Sequence, residues 1–318
     1  MERRGLAPDN AAMRKTDSSV LLAFVAMVLI GGSNFVAVRL SDRGLAPLFG
    51  AGVRFFAAGI LLFLFIAAAR IALPTRRQLT GTLLYGLLNF AASYAFAYLA
   101  LVWLSAGVAA IVMGAVPLLT LVLASVQGVE KFRVRGIAGA VIAVAGIAVL
   151  FGGPAKMHVQ AAALPLMLGA AVSAAESSVV LKKLPTGHPA ATNAVAMAFG
   201  GLLLIGASAL FGEQWSLPSS VSTWSSLLYL IGPGSIGLFA LFLFTLKRWS
   251  ASRVSYLFVL TPIVASGVGA ALTGEVVSAG LVAGGAIVLV GVYVGALSRS
   301  RVRPPQVVRV PETDAVTG

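Results

Sequence analysis

The sequence predicts an all-α integral membrane protein: ten transmembrane helices arranged as two inverted five-helix repeats. Three observations predict it. Of the 318 residues, 59% are hydrophobic and 10% charged, with a mean hydropathy of +0.97, whereas a soluble domain carries roughly 25% charged residues. Ten apolar runs approach the roughly 20 residues a helix needs to cross the hydrocarbon core. The chain also repeats itself. At a shift of 145 positions, Leu101, Ala106, Pro117, Glu130, Gly139, Ile142, Gly146 and Val149 meet Leu246, Ala251, Pro262, Glu275, Gly284, Ile287, Gly291 and Val294. A weaker echo at a shift of 142 pairs Pro47 with Pro189 and Gly59 with Gly201. This spacing is too long for a solenoid unit and points to two homologous halves.

Taken in order, residues 1–19 are polar and read as a disordered cytoplasmic tail. The run from Val20 to Leu40 has the length of a spanning helix and is followed by many like it, so it reads as a retained helix rather than a cleaved signal. The first repeat covers 20–152, with segments at 20–40, 48–69, 79–101, 106–127 and 134–152. Residues 153–160, around Gly153, Pro154 and Lys156, form the linker. The second repeat covers 161–297, with segments at 161–181, 190–211, 224–246, 252–272 and 277–297. A basic, Pro-containing tail at 298–318 closes the chain.

Basic residues orient these segments, because cytoplasmic loops collect Lys and Arg. With the N-terminus inside, 19 of the 23 Lys and Arg fall on the cytoplasmic side. Arg39, Arg43 and Lys156 fall outside, and Arg54 lies within the second helix. Both termini are therefore expected in the cytoplasm, in the inner membrane. Five helices per half is an odd number, so the second half enters the membrane from the opposite face. Inverted repeats that exchange roles are a natural route to alternating access.

Several stretches resemble EamA-type transporters of the drug/metabolite transporter superfamily. They are G-G-S-N-F-V-A-V-R-L (31–40), V-R-F-F-A-A-G-I-L-L (53–62), S-A-G-V-A-A-I-V-M-G-A-V-P-L-L-T (105–120) with Glu130, and S-A-S-R-V-S-Y-L-F-V-L-T-P (250–262) with Gly274 and Glu275. The resemblance spans about 20–297 and implies a ten-helix bundle around a central cavity that exports small metabolites. It leaves the substrate open, since amino acids, drugs and nucleosides are all carried in the family. Glu176 departs from the family pattern, which more often has a small or aromatic residue there.

The candidate site residues are polar positions inside apolar helices. Glu176 is the acidic residue placed within a segment, where a carboxylate is costly; it is the candidate for proton coupling and for substrate contact. The competing reading has it reach water or pair with Lys182 or Lys183, about 8 Å from the inner end at ~1.5 Å per residue. Asn34 matches Glu176 at the shift of 142, and is either a cavity residue or interhelical glue. In the eighth segment G-P-G-S-I-G (232–237) loosens the helix around Pro233, and exposed backbone near the midplane is where transporters often bind substrate. Asn89 falls opposite Gly234 at the shift of 145. Asn89, Ser93, Tyr94 and Ser235 are expected to line a substrate pocket, while Tyr85 and Tyr98 are the weaker candidates. Arg54 reads mainly as an anchor whose side chain snorkels to the interface, with an anionic-substrate contact as the lesser reading.

Pro117, Pro233 and Pro262 are expected kinks. Gly139, Gly146, Gly284, Gly285 and Gly291 are expected to permit close helix packing, and are the candidate face for a homodimer. Glu130 and Glu275 are expected to fix turns. No cysteine, Walker loop, H-E-x-x-H or Ser–His pairing occurs, and the two histidines, His158 and His188, fall in connections, so neither an enzyme nor a cofactor is expected. The reading is a secondary exporter of amino acids or related amphipathic solutes, with the lipid bilayer and a small-molecule substrate as partners and no nucleic acid. Facilitated uptake or exchange, or a non-transporting receptor or assembly protein on the same fold, are the alternatives.

Overall fold

The computed structural model describes residues 10–101, 103, 106–150, 163–273 and 279–297. The 153–160 linker with Lys156 and His158, Ser105, Glu275 and the 298–318 tail lie outside the described residues. The described chain is helical, with no strand. The helices are α1 (Asn10–Ser41), α2 (Pro47–Ala68), α3 (Arg76–Tyr85), α4 (Ser93–Leu101), α5 (Ala106–Gly114), α6 (Val116–Val126), α7 (Val134–Leu150), α8 (Leu164–Lys183), α9 (Pro189–Leu210), α10 (Val221–Ile231), α11 (Leu238–Leu246), α12 (Ala251–Val254), α13 (Leu257–Thr273) and α14 (Ala279–Val292). A π-helical stretch, Gly86–Ala92, joins α3 to α4. A second, Gly232–Gly237, joins α10 to α11, and a third, Tyr293–Leu297, follows α14.

Local sequence explains where these elements begin. Pro47 and Pro189 open α2 and α9, where a fixed φ is pre-organised and the missing N–H costs nothing. Thr75 and Gln78 form a capping box at the start of α3. α1 starts earlier than the expected 20, at Asn10, because Ala11, Ala12, Met13, Arg14 and Lys15 are good helix formers and extend the helix backwards beyond the apolar run.

Among the described residues seven helical segments are long and apolar enough to span a membrane: Ser18–Val38, Pro47–Ala68, Arg76–Leu101, Leu164–Lys183, Pro189–Leu210, Val221–Leu246 and Ala251–Val268. Three shorter apolar helices, Val116–Val126, Val134–Val149 and Val282–Gly295, stand where the fourth, fifth and tenth segments were expected. The fourth is divided because the helix breaks at Ala115, just ahead of Pro117, whose ring cannot follow a full preceding turn. Pro262, by contrast, sits inside a continuous α13. The outer faces are apolar: Leu22, Leu64 and Leu210 are 70%, 64% and 89% exposed, while Met27, Phe55, Tyr85 and Phe90 are wholly buried. A surface of that kind belongs in lipid.

The halves interlock through repeat-related helices that run antiparallel. In α2 against α9, Gly52 faces Ile205 and Gly59 faces Ala198. In α7 against α14, Gly139 faces Gly291 and Gly146 faces Gly284 and Val288. A Cβ at Gly59 would come within 2.7 Å of the Ala198 backbone nitrogen, so only glycine allows this approach. Most of the glycine face considered for a homodimer is therefore consumed inside one chain; Gly285 faces Ile263. Other contacts also cross between the halves. α1 packs on α10, α11 and α13 of the second half, and α8 packs on α4, α5 and α6 of the first.

Candidate functional site: two polar junctions at the π-helical stretches

The two π-helical stretches occupy repeat-related positions, and each receives a polar side chain from the opposite half. At the second, Pro233 has no N–H to give the preceding turn, and the widened register presents backbone carbonyls sideways. Asn34 Nδ2 in α1 donates to the Gly234 carbonyl at 2.9 Å. Gly234 is required there, because a Cβ would collide with the Asn34 side-chain oxygen. Arg54 joins them: Nε donates to Ser235 Oγ at 2.8 Å and an Nη donates to the Gly234 carbonyl at 2.9 Å. Its guanidinium carbon lies 4.8 Å from the Phe55 ring centre.

This corrects the expectation for Arg54. At 2% exposure its side chain does not snorkel to the interface but turns into the bundle, because the hydrogen bonds at the π-helical stretch satisfy it better than a reach through lipid would. The sequence carried a signal for this, the unpaired carbonyls that Pro233 and its flanking glycines create, but not the direction of the side chain.

At the first stretch, Asn89 Oδ1 accepts from Ser177 Oγ in α8 at 3.2 Å. Ser177 stands one residue beyond Glu176, the position that the shift of 142 pairs with Asn34, so α8 reaches the first stretch near the place where α1 reaches the second. Ser93 Oγ donates to the Ala170 carbonyl at 3.1 Å, a bond that ties α4 to α8. Asn34, Asn89, Ser93 and Ser235 are all buried. Two amide atoms at these junctions have no hydrogen-bond partner among the described residues: Asn34 Oδ1, an acceptor, and Asn89 Nδ2, a donor. The Tyr85 hydroxyl is likewise buried and unpartnered. Aromatic rings of the core pack on one another beside these junctions: Tyr94 stands edge-on to Phe55 at 4.7 Å, Phe55 and Phe90 are 4.9 Å apart, and Phe90 meets Phe239 at 4.6 Å. Tyr98 lies 6.4 Å from Tyr94.

Glu176 is half-buried and is not part of either junction's bond network. Both its oxygens accept from Gln127 Nε2, at 2.8 and 2.7 Å, and Gln127 Oε1 accepts from Lys183 Nζ at 3.2 Å. The contact with Lys183 is thus relayed by an amide. Gln127 had no sequence signal, since it follows an ordinary helix end.

At the end of the bundle where α1 meets α2, acidic groups that the sequence reading passed over take structural roles. Glu213 caps α2, accepting from the Leu48 and Phe49 backbone N–H groups at 3.0 and 2.8 Å. Ser208 Oγ also donates to it at 2.7 Å, and Trp215 stacks on Phe49 at 5.0 Å. Asp42 lies beside a crevice shared with Ser41, Arg54 and Tyr98. Burial, then the nearby negative charge of Glu213, pushes the Asp42 carboxyl up to about 6, against an opposing pull from Arg54. At the other end, Glu130 accepts from the Ser252 N–H at 3.2 Å and from its hydroxyl at 2.5 Å, fixing the turn before α12. His188 caps α9, its Nδ1 accepting from Ala190 N–H at 3.3 Å.

Two interlocked helical repeats with buried polar junctions and a lipid-facing apolar exterior define an integral membrane protein of the transporter class. Residues 17–152 and 161–296 each match the EamA-like transporter family, and the chain belongs to that family. Among its relatives, the uncharacterized inner membrane transporter YedA of Escherichia coli (strain K12) is 33% identical over 260 residues, 80% of this chain and 83% of that one. A probable amino-acid metabolite efflux pump of Salmonella typhimurium is 27% identical over 281 residues, covering 84% and 91%. A protein of known crystal structure, 18% identical, superposes with a TM-score of 0.72 over 88% of this chain and 97% of its own, and so shares the fold.

Proposed function

We propose that this protein is a secondary transporter that exports amino acids or related amphipathic solutes from the cytoplasm by alternating access. In this reading ten helices cross the inner membrane, both termini are cytoplasmic, and the halves are inverted. The observation that carries it is the pair of unsatisfied amide atoms at the two junctions. A buried polar atom without a partner costs about 1–3 kcal/mol, so Asn34 Oδ1 and Asn89 Nδ2 are better served when the bundle opens to admit a solute beside them. A zwitterion matches both: its ammonium donates to the Asn34 oxygen and its carboxylate accepts from the Asn89 amide. The aromatic walls at Phe55, Phe90 and Tyr94 suit an organic side chain. Ser93 and Ser235 complete the polar lining, and the helix irregularities at Pro117 and Pro233 supply places to bend. The efflux-pump name of the Salmonella relative supports the direction and the solute class.

Glu176 is the candidate for coupling export to proton entry, as a half-buried carboxylate inside an apolar helix whose oxygens are held by the neutral Gln127 amide. Flux in proteoliposomes tests the whole reading. Purified protein is offered a panel of labelled amino acids with and without an imposed pH gradient, beside Glu176→Gln. Transport of one solute by the wild type, accelerated by the gradient and lost in the variant, is expected. Equal flux in both proteins with no gradient effect overturns proton coupling, and no flux of any solute overturns the solute class.

A further inference from the structure

A second site lies at the end of the bundle where α6 meets α12. A cavity of about 230 Å³ opens between the connection after α6 and the one before α12, lined by Glu130, Lys131, Arg133, Arg248, Trp249, Ser250 and Arg253. Four cationic side chains converge on it against one carboxylate, a formal charge of +3. That carboxylate is already committed: Glu130 accepts from the Ser252 N–H and hydroxyl and stands 3.6 Å from Arg133. Arg133 in turn donates to Ser250 and Ser252 at 3.2 and 3.1 Å. Arg248 is held over Phe244, its guanidinium carbon 3.7 Å from the ring centre, and an Nη donates to the Phe244 carbonyl at 3.1 Å. Arg133 and Arg248 held by these contacts, beside Lys131 and Arg253 and with the local carboxylate already committed, make a receptor suited to an anion.

We propose that this cavity binds a phosphoryl oxyanion, and that the anion clamps the two halves together at this end. Three considerations favour phosphoryl over carboxylate. The excess of charge is larger than one carboxylate neutralises. The guanidinium fork matches a tetrahedral oxyanion that can accept several bonds at once. Trp249, half-buried in the lining, is the amphipathic ring expected at headgroup depth. Lys131 and Arg133 belong to the first half and Arg248 and Arg253 to the second, so a bound anion bridges the repeats outside the solute path. Anion binding here goes beyond the transport reading; its consequence, that the bridge favours whichever state keeps this end closed, rests on that reading.

The source of the phosphoryl group is an anionic lipid or free phosphate, and one experiment separates them. Thermal unfolding of the full-length protein in detergent is followed against dihexanoyl phosphatidylglycerol, dihexanoyl phosphatidylcholine and inorganic phosphate, and the rise in midpoint gives each affinity. Phosphatidylglycerol is expected to stabilise the wild type and phosphatidylcholine is not. Lys131 and Arg248 are exposed, so Lys131→Gln and Arg248→Gln keep the fold, and each should weaken binding by about fivefold. Arg248→Lys, which keeps charge without the fork, should fall between. If inorganic phosphate stabilises the wild type as well as the lipid does, the proposal stands with free phosphate as the source. If neither anion binds the wild type more tightly than a variant carrying both Lys131→Gln and Arg248→Gln, it is overturned.

Discussion

Deleting the bond between Arg54 and Ser235 is the sharpest test of how the second junction is held. Arg54→Ala alone is hard to read: it removes two charge-assisted bonds worth about 1.5–3 kcal/mol each and a cation–π contact worth roughly 0.5–2 kcal/mol. It also relieves the cost of burying a guanidinium, which is several kcal/mol in the opposite direction. A double-mutant cycle cancels these one-body effects. With Arg54→Ala, Ser235→Ala and the double variant, the cycle isolates the 2.8 Å bond between Nε and Oγ. Neutral interhelical bonds in membranes average about 0.6 kcal/mol, and a charged, fully buried donor should exceed that. We expect a coupling of about 1.5 kcal/mol, the lower edge of the charge-assisted range. Reversible unfolding of detergent-solubilised protein by titration with a denaturing detergent supplies the four stabilities. Additivity within about 0.3 kcal/mol would refute the geometry at Gly234 and Ser235.

Three other outcomes follow from the packing and charge. Gly201→Leu should abolish folded protein, because even a Cβ would approach the Phe56 backbone nitrogen to 2.5 Å, whereas Gly206→Ala on the same helix, with open space around it, should shift stability by less than ~0.5 kcal/mol. Size-exclusion yield and melting midpoint distinguish them. Asp42 should make the fold less stable as pH rises: its carboxyl is raised from 3.8 to about 6, so the folded state holds the proton more tightly, and its contribution fades between those values. Asp42→Asn should therefore match the wild type near pH 4 and be the more stable of the two at pH 7, by about 1 kcal/mol or less because the group is partly solvated. A difference between the two proteins that does not vary with pH contradicts that assignment. Glu213→Gln should lower the melting midpoint, since the charged cap on two N–H groups of α2 becomes a neutral one, and a cap is worth ~1 kcal/mol; an unchanged midpoint would contradict the capping role.

The duplicated Pro–Glu–Gly spacing was enough to find both halves, and the shift of 142 that pairs Pro47 with Pro189 identified helices that pack antiparallel in the structure. Those properties were legible because they are periodic and compositional. What the sequence could not say was which way a long side chain points. Arg54 lies near enough to a helix end to reach water or to turn inward, and only the carbonyls exposed at Gly232–Gly237 decide it. Glu176 was visible as an acid in an apolar helix, but its partner, Gln127, comes from a distant turn. Asp42 and Glu213 were invisible for another reason: acids in connections are ordinary, and their importance arises from meeting one another across 171 positions. The glycines of α7 and α14 were recognised as a packing face, but spacing alone does not distinguish a contact within the chain from one between chains.

The most direct measurement is solute flux through proteoliposomes carrying Asn34→Ala or Asn89→Ala, set against the wild type and against Gly206→Ala as a packing control. If the two junctions form the solute path, each asparagine variant should lose about tenfold or more in transport, the factor that removing one buried hydrogen bond to a solute implies, while Gly206→Ala transports normally. Wild-type flux in both asparagine variants, with intact folding, would contradict the placement of the solute at these junctions.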